Sequence, residues 1–142
     1  MKKNNIKLVQ KATDWEESIR MAGSLLVEAS SCTNDYVDEM VAAVNNLGPY
    51  IVIAPSIALA HARPSSFVKE NDISLVVYKE PISFGHENND PVSLVFSFCA
   101  TADEGHLEQL GKLSDVLSNE DTVKAIINGN TVDEVFNILT KG

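Results

Sequence analysis

Hydrophobic residues recur along the first third of the chain at the spacing of one helix face. Trp15, Ile19, Ala22, Leu26 and Ala29 follow one another by three or four positions, which predicts an amphipathic helix. Thr13 with Glu16 three residues later has the form of a capping box, in which a hydroxyl and a carboxylate satisfy free backbone amides. A second stripe, Val37, Met40, Val41, Val44 and Leu47, predicts another helix that starts at Asn34 or Asp35 and is stopped by Gly48 and Pro49. The period then changes. "YIVIA" (50–54), "ISLVV" (73–77) and "VSLVFSFCA" (92–100) are short, rich in β-branched and aromatic residues, and bounded by Pro, Asn, Asp or Gly, which predicts strands. "SIALA" (56–60) offers a further short one. Helical spacing returns with Leu107, Leu110, Leu113 and Leu117, behind a Thr101–Glu104 capping box. Ser118 with Asp121, then Thr131 with Glu134, mark two more helix starts separated by Gly129.

Two helices, four or five strands and three helices, in that order, make an α/β chain. The middle strands follow one another too closely for a helical crossover between each pair. Some of them therefore pair antiparallel, in a mixed sheet with helices packed on it. The chain of 142 residues fits one domain, 1–142, and no linker or repeat divides it.

Composition narrows the function. Hydrophobic content of 44% and charged content of 22% are those of an ordinary globular protein. A net charge of −9 disfavours nucleic acid and anionic membrane as partners, since both need clustered Lys and Arg. The apolar run from Ile51 to Ala60 is interrupted by Pro55 and Ser56 and is too short to span a bilayer. The basic start "MKKNNIKLVQ" lacks the apolar stretch of a signal peptide. Cys99 reads as a small buried hydrophobe and Cys32 lies in the polar link "SSCTND"; the sequence leaves their pairing open, and the expectation is a cytoplasmic protein.

Candidate chemistry rests on three histidines. His61, His86 and His106 show no short metal-ligand spacing, and no Gly-rich phosphate loop or nucleophile elbow is present. In "IALAHARP" (57–64), His61 ends a buried-looking segment between two alanines, and Pro64 disfavours helical geometry at Arg63. The ring is sterically open on both sides. Neutral imidazole is a good nucleophile near neutral pH and can attack phosphorus. Arg63 could offer paired N–H donors to phosphoryl oxygens. The plainer reading is a surface His–Arg pair at a strand end. His106 falls in the first turn of a helix, where partial positive charge favours an anion and disfavours a protonated ring; its plainer reading is packing beside a sheet edge. His86 lies in the loop "SFGHENNDPV" (83–92) and reads as a solvated turn residue, at most lining a site rim with Phe84.

"GPYIVIAPSIALAHARP" (48–64), "EPISFGHENNDPVSLVFSFCA" (80–100) and "GHLEQLGKLSDVLSN" (105–119) together resemble the enzyme IIA component of the bacterial sugar phosphotransferase system. The branch is the mannitol/fructose type, closest to its ascorbate- and galactitol-like members. The resemblance implies a three-layer α/β/α sandwich and a phosphohistidine relay without cofactor or metal. The carrier protein HPr delivers a phosphoryl group, the active histidine accepts it, and a cysteine of the IIB component takes it on toward the IIC permease. The active histidine matches His61, and the second histidine, which helps hold the phosphoryl group, matches His106. Two departures stand out. Ala60 occupies the place of the family's usual proline before the active histidine. No arginine lies between Arg20 and Arg63 to match the one found upstream in the mannitol branch. A water-excluding rim is expected from Ile57, Leu59 and Phe84. The rival readings are a regulatory phospho-acceptor, a transfer-dead binding module, and a metal protein that uses all three histidines.

Overall fold

A computed structural model describes residues 1–102 and 107–141. After a short 3-10 turn come β1 (Ile6–Val9), α1 (Trp15–Glu28), α2 (Asn34–Leu47), β2 (Val52–Ala54), β3 (Ile57–Ala60), β4 (Asp72–Ile82), β5 (Val92–Cys99), α3 (Leu107–Leu117), α4 (Glu120–Ile127) and α5 (Val132–Lys141). The strands form one sheet in the order β1-β4-β5-β3-β2. β4 pairs antiparallel with β5 and β2 with β3, whereas β1–β4 and β3–β5 are parallel. The mixed sheet expected from the sequence is therefore present.

Alternation along the strands divides the core in two. Ile57, Leu59, Ile73, Leu75, Val77, Leu94, Phe96 and Phe98 pack with Leu113, Val116, Ile126 and Val135 of α3, α4 and α5. The intervening Ala58, Ala60, Val76, Tyr78, Val95 and Cys99 face α1 and α2. Both faces of β3, β4 and β5 are covered, which explains their nearly continuous apolar runs. On the α1–α2 side the helices come close at Gly23, where an added Cβ would lie 2.8 Å from Val37 Cγ2. Cys32 lies in the link between α1 and α2 and is buried there, and both thiols are free.

Several local expectations shift. Strand β1, from the four residues "IKLV", joins the sheet by parallel pairing with β4; the helical reading of the first third omitted it. The cap of α1 is Asp14, which accepts the Glu17 N–H at 2.8 Å, while Glu17 reaches back to the N–H and hydroxyl of Thr13. The box thus sits one residue later than Thr13–Glu16. Asn119, not Ser118, caps α4 through the N–H groups of Asp121 and Thr122. Thr131 does accept the Glu134 N–H. The Thr101–Glu104 box includes Glu104, which lies outside the described residues.

Candidate functional site

The site forms where β3 and β5 end side by side. Their parallel register sets Ala60 opposite Ser97, so the next residues outward are His61 and Phe98. By strand alternation His61 follows Ile57 and Leu59 to the α3 side of the sheet. Its ring stacks on that of Phe98, with centroids 5.0 Å apart and planes 15° from parallel. Tyr50 meets it edge-on at 5.6 Å. Gly48, at φ +85°, ends α2 in a conformation open to glycine, and the turn that follows brings Tyr50 to the histidine.

One hydrogen bond defines the ring's chemistry. His61 Nδ1 lies 3.0 Å from the Leu59 carbonyl. A carbonyl only accepts, so Nδ1 carries the proton and the neutral ring keeps its lone pair on Nε2. Backbone and aromatic contacts together fix the ring, and among the described residues Nε2 has no hydrogen-bond partner. This also answers the substitution at Ala60: that residue is a buried strand position, and the ring takes its aim from Leu59 and Phe98 without a preceding proline.

A cavity of about 630 Å³ opens over the ring. Its walls come from α2 (Glu39, Ala42, Ala43, Asn46, Leu47), from Leu59, Arg63 and Phe98, and from Leu110 of α3. Arg63 is exposed, and among the described residues no carboxylate forms an ion pair with it. Its guanidinium is a cation of the lining. Leu47, Tyr50 and Ile53 are large apolar side chains left exposed, at 73%, 40% and 52%, and the first two border the cavity.

The expected rim is partly corrected. Leu59 lines the cavity, but Ile57 is buried in the core on the α3 side. Phe84 and His86 belong to the opposite end of the sheet. Their loop precedes Val92, and the run from Val92 to Phe98 is about 20 Å at 3.3 Å per residue. Phe84 is buried and meets Trp15 with ring centroids 6.4 Å apart. His86 Nδ1 accepts the N–H groups of Asn88 and Asn89, while Asp90 gathers those of Phe84, Gly85 and His86. His86 thus builds its own loop. The separation keeps His61 and His86 off a common metal ion, and no group of three His, Cys, Asp or Glu able to hold one occurs among the described residues. His106 lies outside them. Among the same residues no helix is long and apolar enough to cross a membrane.

The residue that sequence reasoning missed is Tyr36. It precedes the apolar stripe of the second helix, and its hydroxyl accepts the Ala62 N–H at 3.0 Å and donates to the Phe98 carbonyl at 2.9 Å, with the Ala62 carbonyl at 3.1 Å. It therefore touches the backbone on both sides of the stacked pair.

Comparison with known proteins agrees with this fold. The family model described as "Phosphoenolpyruvate-dependent sugar phosphotransferase system, EIIA 2" matches residues 1–142. The ascorbate-specific PTS system EIIA component of Salmonella typhimurium is 34% identical over 142 residues, covering 97% of this chain and 90% of that protein. The crystal structure of IIA mannitol from Escherichia coli superposes with a TM-score of 0.86 at 30% identity, covering 98% of each chain. The IIA mannitol chain in its complex with phosphorylated enzyme IIB, also from Escherichia coli, gives 0.88 at 28% identity, over 100% of this chain and 98% of that one. The chain belongs to the EIIA 2 family of the phosphoenolpyruvate-dependent sugar phosphotransferase system, and it is a phosphotransferase component of that system.

Proposed function

We propose that His61 is the phosphoryl acceptor and that the protein is a cytoplasmic carrier between HPr and a cognate IIB component, which in turn serves the IIC permease. The observation that carries this reading is the anchored ring: Nδ1–H held by the Leu59 carbonyl, the ring stacked on Phe98, and Nε2 without a hydrogen-bond partner among the described residues, beside a cavity with Arg63 on its wall. The Nε2 lone pair attacks the phosphorus of phosphorylated HPr in line. A new N–P bond forms as the N–P bond to the donor histidine breaks, and that histidine leaves with the electron pair. Phosphoryl transfer needs little from a protein beyond positioning and charge stabilisation. Arg63 supplies donors for the equatorial oxygens, and His106, matched to the family's second histidine, shares that task. In the second step a IIB cysteine thiolate attacks the same phosphorus, forming S–P and returning the electron pair to Nε2. The bond between phosphorus and imidazole keeps enough transfer potential for this.

The name of the 34% identical relative supports ascorbate as the transported substrate. Incubation with phosphorylated HPr tests the acceptor. One phosphoryl group is expected on the protein, on Nε2 by heteronuclear NMR, and none on folded His61→Ala. Label on that variant, or a bare imidazole in the intact protein beside a fully loaded donor, overturns the assignment. His106→Ala is expected to fold and to transfer slowly; a normal rate assigns that ring to packing.

A further inference from the structure

We propose that Tyr36 is a positioning residue for phosphoryl transfer, its hydroxyl acting as an inserted rung that holds the His61 strand apart from β5; this rests on the acceptor role of His61. The register supplies the argument. Leu59 N–H donates to the Ile51 carbonyl at 2.8 Å, toward β2, so the N–H groups of Ala60 and Ala62 point to the other neighbour, β5. Continuing the parallel ladder past Ala60 and Ser97, the next rung would run directly from Ala62 N–H to the Phe98 carbonyl. The Tyr36 hydroxyl stands between these two groups, accepting from the first at 3.0 Å and donating to the second at 2.9 Å. The sheet's last rung is thereby spread by one oxygen atom.

The two residues so separated carry the reacting ring. Ala62 follows His61 directly, and Phe98 is the surface on which the imidazole stacks. The spacing set by Tyr36 is thus the spacing in which the ring lies flat on Phe98 with Nδ1–H on the Leu59 carbonyl. Tyr36 is itself held firmly. It stands in the first turn of α2 with no exposed surface, and burial pushes its phenol pKa up, so the donor proton stays in place at physiological pH. Without the hydroxyl, Ala62 N–H loses its acceptor and closes on the Phe98 carbonyl, and the ring shifts on its platform. A displacement of about 1 Å at a reacting group can cost up to about a hundredfold in rate.

Tyr78 provides the matched control. It is another fully buried tyrosine on the α1–α2 side of the sheet, and its hydroxyl meets no hydrogen-bonding partner among the described residues. In single-turnover transfer from phosphorylated HPr, Tyr36→Phe is expected to lower the saturating rate about tenfold to a hundredfold while the half-saturating HPr concentration stays put. Tyr78→Phe is expected to match the wild type. The nitrogen spectrum of the free Tyr36→Phe protein should show a displaced His61 imidazole. A wild-type rate in Tyr36→Phe, or equal slowing in both variants, overturns the proposal. Amide exchange in the unsubstituted protein needs no variant: Ala62 N–H is expected to be protected, and exchange at open-loop speed overturns the inserted rung. If the wild type takes no label, the acceptor role fails, while the imidazole spectra and the amide exchange still decide the placement.

Discussion

At residue 61 the division of labour between two ring nitrogens is set by the backbone. The Leu59 carbonyl accepts the Nδ1–H hydrogen bond, which leaves the lone pair on Nε2. Arg63 is exposed and unpaired among the described residues, so its replacement changes chemistry more than stability. Arg63→Ala is expected to slow acceptance from HPr about tenfold to a hundredfold, less than loss of a buried transition-state donor because solvent screens the exposed guanidinium. Its melting temperature should stay within a degree or two of wild type, in keeping with the small cost of surface changes. Arg63→Lys keeps the charge without the fork and should recover only part of the rate; full activity in Arg63→Ala would remove the residue from the site. His61 and Arg63 were legible because the apolar segment, the small neighbours and Pro64 adjoin them in sequence. Tyr36 was not, since its partners lie 26 and 62 positions away. The distance of Phe84 and His86 from the site was not legible, because a sequence does not say at which end of a strand a loop emerges.

Among the elements, the stripes of α1 and α2 and the β-branched strands were readable from periodicity, because burial on one face or two leaves that trace. β1 was not. Its four residues have a single neighbour, β4, nearly seventy positions later, and no local pattern announces such a pairing. The end of α1 was equally hidden. Ser31 N–H donates to the Leu26 carbonyl and Ser30 N–H to the Val27 carbonyl, the paired bonds of a Schellman motif, with Ser30 at φ +63° where glycine is usual. Ser30→Gly is expected to raise stability by about 0.5–1 kcal/mol, the relief of a left-handed side chain less the entropy glycine loses. Thermal denaturation should then move up by about 1–4 °C, and a lowered midpoint would mean that the serine is held there by contacts of its own.

For the molecule as a whole, exposed apolar side chains and His61 share one end of the sheet. Leu47 borders the cavity and is mostly exposed, the setting of a short-lived contact that releases its partner after transfer. Leu47→Asp is expected to raise the half-saturating HPr concentration severalfold with the saturating rate unchanged, the reverse of the pattern expected for Tyr36→Phe. Alkali acts on a different part of the molecule. Burial pushes the Tyr78 phenol up to about 12 from its ordinary 10.0, and Tyr36 moves the same way. The folded state therefore holds protons that the unfolded chain gives up first. Stability is full below about pH 10 and is lost as pH rises toward 12, and Tyr78→Phe should flatten that decline in pH-dependent chemical denaturation.

The cavity draws walls from α2 on one side of the sheet and α3 on the other, so neither helical layer builds it alone. Should either layer melt, the His61 ring loses part of the wall around it. Heat inactivation should therefore track global unfolding with no earlier phase.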